Sequence, residues 1–181
     1  YKRQATVDRK PGKGLISLAR GPEERTVRQA VVGPATTAPT IDGTLSSGEW
    51  DETAKLAGFS LLGDDKLAGE QSEVYVTHDA ERLYVGFRCQ QAAGPKADVK
   101  QRDGQTWTDD AVELFIQPDP QAGRYVQLVG NSTGVFADCR GQDVSWNGDW
   151  TYRASVHGGY WEGEVAVSFE TLGMSAPTGT R

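Results

Sequence analysis

The sequence predicts an all-β protein: an antiparallel, jelly-roll-like β-sandwich with a short helical turn and an extended N-terminal arm. Two observations predict it. From Thr40 onward the chain falls into short runs in which apolar and polar residues alternate, the period-2 pattern of half-buried strands. Turn-forming segments separate these runs at regular spacing, helped by 22 glycines, as in two-sheet antiparallel folds. A chain of 181 residues is long enough to bury one sizeable core, so one domain plus a tail is expected.

Residues 1–39 are read as an arm or linker and residues 40–181 as the folded domain. The arm is rich in Lys and Arg and contains two short apolar runs, 15–18 and 30–32, too few to form a core. It is a linker, a disordered arm or a strand that pairs elsewhere. Pro34 to Pro39 reads as an extended spacer. Residues 41–45 read as a short strand and turn, and residues 49–54 as one helical turn capped by Ser46 or Ser47. Residues 73–77 and 82–89 flank a turn at 78–81 and form a hairpin. Residues 111–116 make a strand that Pro118 and Pro120 end. Residues 125–129 pair with 135–139, and 152–156 with 161–169 across His157-Gly158-Gly159. There is no internal repeat and no low-complexity tract.

The net charge of −6 argues against a nucleic-acid partner, which requires a dense basic face. No apolar run approaches the roughly 18 residues of a membrane span. There is no apolar signal-peptide core, and the chain begins at Tyr1, so processing or excerpting is expected to have removed the true start. Cys89 closes the run 83–89 and Cys139 the run 135–139. By alternation Cys89 shares a face with Leu83, Val85 and Phe87, and Cys139 with Val135 and Ala137. Both are therefore placed in the core, as two buried thiols or as a disulfide. No metal–thiolate pattern is present. Asn131-Ser132-Thr133 is a glycosylation sequon in a secreting host.

The most informative stretch runs from Trp107 to Ile116. Val112, Leu114 and Ile116 fall on one face of a strand, Glu113 and Phe115 on the other, with Trp107, Asp109 and Asp110 at its mouth. An indole packs against the C–H face of a sugar ring and a carboxylate accepts hydroxyl hydrogen bonds, so the grouping suits a glycan. Trp146 and Trp150 lie in or beside a glycine-containing loop and are further platform candidates. Trp50 and Trp161 are read as core. Asp103, Asp109 and Asp110 are oxygen ligands of the type Ca²⁺ prefers, without EF-hand spacing. His78 and His157 sit in separate turns with no partner at ligand spacing. Neighbouring acids on one strand cannot straddle a glycosidic bond, which argues against an enzyme.

Four segments resemble motifs of family 9 carbohydrate-binding modules: Ile41-Asp42-Gly43 through Glu49-Trp50, Leu83 to Phe87, Trp107 to Ile116, and Tyr160 to Val167 with the turn at 170–173. The resemblance implies a non-catalytic β-sandwich that binds the end of a glycan chain, with no required cofactor and with structural calcium in some members. It implies a sugar held between two tryptophans, the first being Trp107, with hydroxyls bound by Glu113 and Asn131. The family's sugar-contacting arginine is replaced by Val129. The second tryptophan lies beyond Arg181, leaving Trp146 or Trp150 to substitute.

Two roles follow as expectations. One is a carbohydrate-binding module of a secreted or cell-surface protein, with a glycan as partner. The other is a structural subunit of an extracellular filament, in which residues 1–35 of one copy complete the sheet of the next by strand addition.

Overall fold

The structure is a computed structural model. It describes residues 4–10 and 13–17 along the backbone, and residues 29–64, 66–119, 121 and 123–177 in full. Among the described residues, ten strands form two five-stranded sheets. The first has the order β2 (Lys13–Ser17), β1 (Gln4–Lys10), β6 (Ala111–Ile116), β7 (Val126–Asn131), β8 (Phe136–Arg140). The second has the order β3 (Ala54–Leu56), β4 (Ser72–His78), β5 (Arg82–Gln90), β10 (Tyr160–Ser168), β9 (Trp150–His157). Among the described strands the pairings are antiparallel except β1 with β6, which run parallel with Gln4 opposite Glu113 and Val7 opposite Ile116. The arm therefore carries a β1–β2 hairpin and occupies the β6 edge of its own chain, an edge that would otherwise expose a row of unpaired backbone groups. The arm's second apolar run, residues 30–32, lies in no named strand.

Alternation positions the core as expected. Val112, Leu114 and Ile116 of β6 and Val126 and Leu128 of β7 meet Val85, Phe87 and Cys89 of β5 and Trp161, Val165 and Val167 of β10. The Tyr152 ring fills the space where a side chain at Gly130 would stand. Its hydroxyl donates to the Asn131 carbonyl (2.6 Å), so this buried polar tip is satisfied.

Residues 41–45 are not a strand. They bend over the outer face of β10, and their N–H groups go to side chains instead of a ladder. Asp42 and Gly43 donate to Glu164 Oε2 (3.0 and 2.8 Å), Trp50 Nε1 donates to Glu164 Oε1 (3.0 Å), and Leu45 N donates to Glu162 Oε1 (3.3 Å). Glu162 also holds Arg88 (2.9 Å), and both glutamates are buried. Gly43 has φ +95° and its missing Cβ would lie 2.9 Å from Ala154 N, so only glycine fits this approach. Trp50 packs with Tyr84 and Ala166 in a second cluster on this outer face. Trp50 is core, as expected, but of this cluster and not of the space between the sheets. Residues 49–54 form turns that lead into β3 instead of a helical turn.

A short helix α1 (Phe169–Leu172) follows β10 where a helical turn was expected. Ser168 Oγ accepts from Thr171 N (3.0 Å) at its start, and Gly173 at φ 67° ends it. The cysteine expectation needs correction. Cys89 is in the core, whereas Cys139 lies on the outer face of β8, and both are free thiols. The register of β8 turns Phe136 inward against Trp150 and turns Asp138 inward to accept Trp150 Nε1–H (2.8 Å), which sends Cys139 the other way. A buried acid in an inward position is what alternation could not anticipate. His78, expected in an exposed turn, ends β4 and is buried against Phe169.

Candidate functional site

The mouth of β6 is built around a single turn of 3₁₀ helix, Thr106–Thr108, which carries Trp107. Thr106 is fully buried, and Thr108 N and Oγ1 both donate to the Gln105 carbonyl (2.9 and 2.8 Å), so the turn is anchored on both sides of the indole. Trp107 itself is 41% exposed, the one exposed tryptophan of the five in the chain. Trp50, Trp150 and Trp161 are buried, and Trp146 is half-buried beneath the Arg140 guanidinium (4.6 Å).

The two aspartates after Trp107 fasten the segment that precedes it. Asp109 accepts from Asp98 N (2.9 Å), Val99 N (3.1 Å) and Asn131 Nδ2 (2.9 Å). Asp110 Oδ2 accepts from Lys96 N (2.7 Å) and Gln91 Nε2 (3.4 Å), while Asp110 N donates to the Lys96 carbonyl (2.8 Å). Burial pushes the Asp109 carboxyl up, but the bonds from Asn131, Asp98 and Val99 outweigh it and hold the group below its ordinary value.

Asn131 is fully buried and both ends of its amide are engaged. Its oxygen accepts from Thr133 N, Thr133 Oγ1 and Val135 N (3.1, 3.1 and 2.9 Å), and its nitrogen donates to Asp109 and to the Val99 carbonyl (3.3 Å). Glu113 stands on the outer face of β6, 4% exposed, accepting from Gln127 Nε2 (2.7 Å). Cys139 Sγ–H reaches Gln127 Oε1 (3.4 Å), and burial pushes that thiol up. Val129, paired with Glu113 across β6–β7, is 3% exposed.

The structure thus packs the 3₁₀ turn of Trp107 on β6 and β7, with Asn131 at the end of β7 and Glu113 mid-strand in β6. It exposes only the tryptophan. Trp150 is in the core, bonded to Asp138. Asp103, Asp109 and Asp110 do not converge, and among the described residues no group of three acids, histidines or cysteines could hold a metal ion. Asp103, at φ 59°, pairs with Arg102 (3.5 Å), and the other two take backbone N–H bonds where a Ca²⁺ ion would need their oxygens. The donor set does not fit that ion.

Residues 41–180 match the family described as carbohydrate family 9 binding domain-like. The chain belongs to this family. Solved structures share its fold. A protein of Bacteroides uniformis, provisionally classed as carbohydrate-binding, superposes with a TM-score of 0.61 at 14% identity, over 77% of this chain and 72% of that one. A family 9 carbohydrate-binding module of Caldicellulosiruptor kristjanssonii in complex with cellotriose gives 0.51 at 12% identity, over 76% and 66%. The same organism's module in complex with glucose gives 0.51 at 13% identity, over 76% and 68%. At such identities the likeness is one of fold. No curated protein matches the sequence.

The family 9 motifs divide by position in this chain. The Ile41-Asp42-Gly43 to Glu49-Trp50 segment and the glutamates of β10 interlock with each other, away from Trp107. The acids of β10 were missed as structural residues because alternation assigns them to a solvent face. The signal available was the glycine and tryptophan N–H groups of the Ile41–Trp50 segment, which require an acceptor.

Proposed function

We propose that this family 9 domain is a non-catalytic carbohydrate-binding module of a secreted or cell-surface protein, with Trp107 as the stacking platform for a sugar ring. The observation that carries the reading is the exposed indole on a turn flanked by the hydrogen-bonded Thr106, Thr108, Asp109 and Asp110. A large aromatic with few side-chain torsions, open to solvent, loses little entropy on binding and gains contact area. The fold shared with modules in complex with cellotriose and glucose supports a glycan ligand. Asp109 and Asp110 hold the preceding loop, and Glu113 is buried against Gln127, so these acids are poorly placed to work as a hydrolytic pair.

The filament reading would require the β1–β2 hairpin to leave its own β6 edge for that of a neighbour. Among the described residues no helix is long and apolar enough to cross a membrane.

Calorimetric titration with cellotriose tests the proposal. Trp107→Ala is expected to cost about 2 kcal/mol or more, a roughly 30-fold weaker Kd, the loss typical of an aromatic anchor. Unchanged affinity in the variant would remove Trp107 from the site.

A further inference from the structure

We propose that Arg102 is a positioning residue for the Trp107 platform, tying the loop that leads into the indole's turn to a buried carboxylate of β8. The proposal rests on the reading of Trp107 as the sugar platform. Asp109, Asp110 and Asn131 fix the chain that follows the indole and the stretch from Lys96 to Val99. Residues 100–105, which deliver the chain to the turn, need an anchor of their own.

Asp138 supplies it. Its side chain points into the sandwich, closed off from solvent. Oδ2 accepts from Gly148 N and Trp150 Nε1 (both 2.8 Å), while Oδ1 is buried without a hydrogen-bond partner. A buried carboxylate with an unmet oxygen favours a nearby cation. Arg102 is that cation. Its Nη2 lies 3.6 Å from Asp138 Oδ2, and its Cζ lies 4.7 Å from the centre of the Phe136 ring. A planar guanidinium can stack on an aromatic face and direct charge at a carboxylate at once, which an ammonium does less well. Phe136 packs edge-on against the buried Trp150 ring (4.8 Å). The seat is therefore joined to the core, whereas the Arg102 side chain is 42% exposed and reaches it from the loop.

The link from Arg102 to the indole is short and hydrogen-bonded. Asp103 N donates to the Phe136 carbonyl (3.1 Å), so the Arg102 side chain and the next backbone N–H grip the same residue of β8. Asp103 takes φ 59°, a left-handed backbone that costs energy outside glycine and needs its surroundings to hold it. Gly104 N donates to the Gln101 carbonyl (3.2 Å) and Thr106 N to the Gly104 carbonyl (2.8 Å), which leads directly into the 3₁₀ turn. Releasing Arg102 frees the near side of that turn while Asp109 still holds the far side. The consequence is a more mobile indole in a folded domain.

The test uses the whole chain with Arg102→Ala, Arg102→Lys and Asp138→Asn, the last keeping an acceptor oxygen for Gly148 and Trp150. Two quantities are read: the heteronuclear NOE of the Trp107 indole N–H without ligand, which reports its mobility, and the Kd for cellotriose by calorimetry. Arg102→Ala is expected to lower the NOE and to weaken binding about fivefold, the size of the ordering cost that a mobile anchor adds. Arg102→Lys keeps the charge but not the flat fork, so it is expected to recover part of both. It also keeps the buried carboxylate paired, and so carries the comparison if Arg102→Ala does not fold. With Asp138→Asn already in place, Arg102→Ala is expected to change both quantities less than it does in the wild type. An unchanged NOE in Arg102→Ala would overturn the proposal. If Kd weakens while the NOE stays fixed, Arg102 contacts the sugar directly instead of positioning the indole. If the wild-type chain does not bind cellotriose, the platform reading fails, and the NOE alone decides whether Arg102 holds Trp107.

Discussion

Glu164→Ala is expected to destabilise the fold by about 3 kcal/mol, seen as a fall in Tm of roughly 6–12 °C for a chain of this size. Glu164 is fully buried, and its two oxygens accept three N–H groups, from Asp42, Gly43 and Trp50. Truncation leaves the Gly43 and Trp50 donors without their acceptor and leaves Asp42 N only the Thr40 carbonyl (3.1 Å), each lost bond costing about 1–3 kcal/mol and not fully additive. Burial raises the Glu164 carboxyl above its ordinary value, against the pull of Gly43, Trp50 and Asp42. A group raised in this way favours the folded state most below its unfolded value, and that contribution declines as pH rises through the folded value. Glu164→Gln keeps an acceptor oxygen and removes the buried charge, so it is expected to lose less than Glu164→Ala at neutral pH and to abolish this part of the pH slope. Thermal melts of both variants across pH check the account. A Glu164→Ala chain as stable as the wild type would show that the covering segment is held by apolar contacts alone.

Asn131→Ala is the second large effect, about 3 kcal/mol, with the loop from Lys96 to Gln105 loosened. The lost side chain makes five hydrogen bonds from a fully buried position. It also removes the Asn131 Nδ2 bond, the foremost of those that hold the Asp109 carboxyl low. A carboxyl with a depressed folded value stabilises above its unfolded value of 3.8, and that stability is lost as pH falls through the folded value. Without Asn131 the folded value moves up, and the acid-induced change in Trp107 fluorescence should begin at a higher pH. This outcome distinguishes a loop-holding Asn131 from a sugar ligand. A variant with wild-type stability and acid response but no glycan affinity would mean that Asn131 contacts the sugar directly.

The strands were legible because their period is local. β6, with Val112, Leu114 and Ile116 inward, needs only its own sequence, and the same holds for Val165 and Val167 of β10. What was not legible depends on partners distant in sequence. Residues 41–45 look like a strand until their N–H groups are seen to meet Glu162 and Glu164, more than a hundred residues away. Cys139 looks like a core residue until Asp138 is found turned inward to the Trp150 indole. The arm carried a strand signal at residues 15–18, but its parallel pairing with β6 left no local mark. At the site, Trp107 was readable as a candidate because a turn tryptophan before an alternating strand is unusual. Asn131 was not readable as structural, since a carboxamide in a loop has the same local appearance whether it binds a ligand or its own backbone.

The most direct test of the central claim is the indole N–H resonance of Trp107 during titration of the whole chain with cellotriose. A saturable shift of that resonance, with those of the buried Trp50, Trp150 and Trp161 unmoved, is the predicted result. A Trp107 signal that stays fixed at saturating cellotriose, in a chain whose spectrum remains folded, would contradict it.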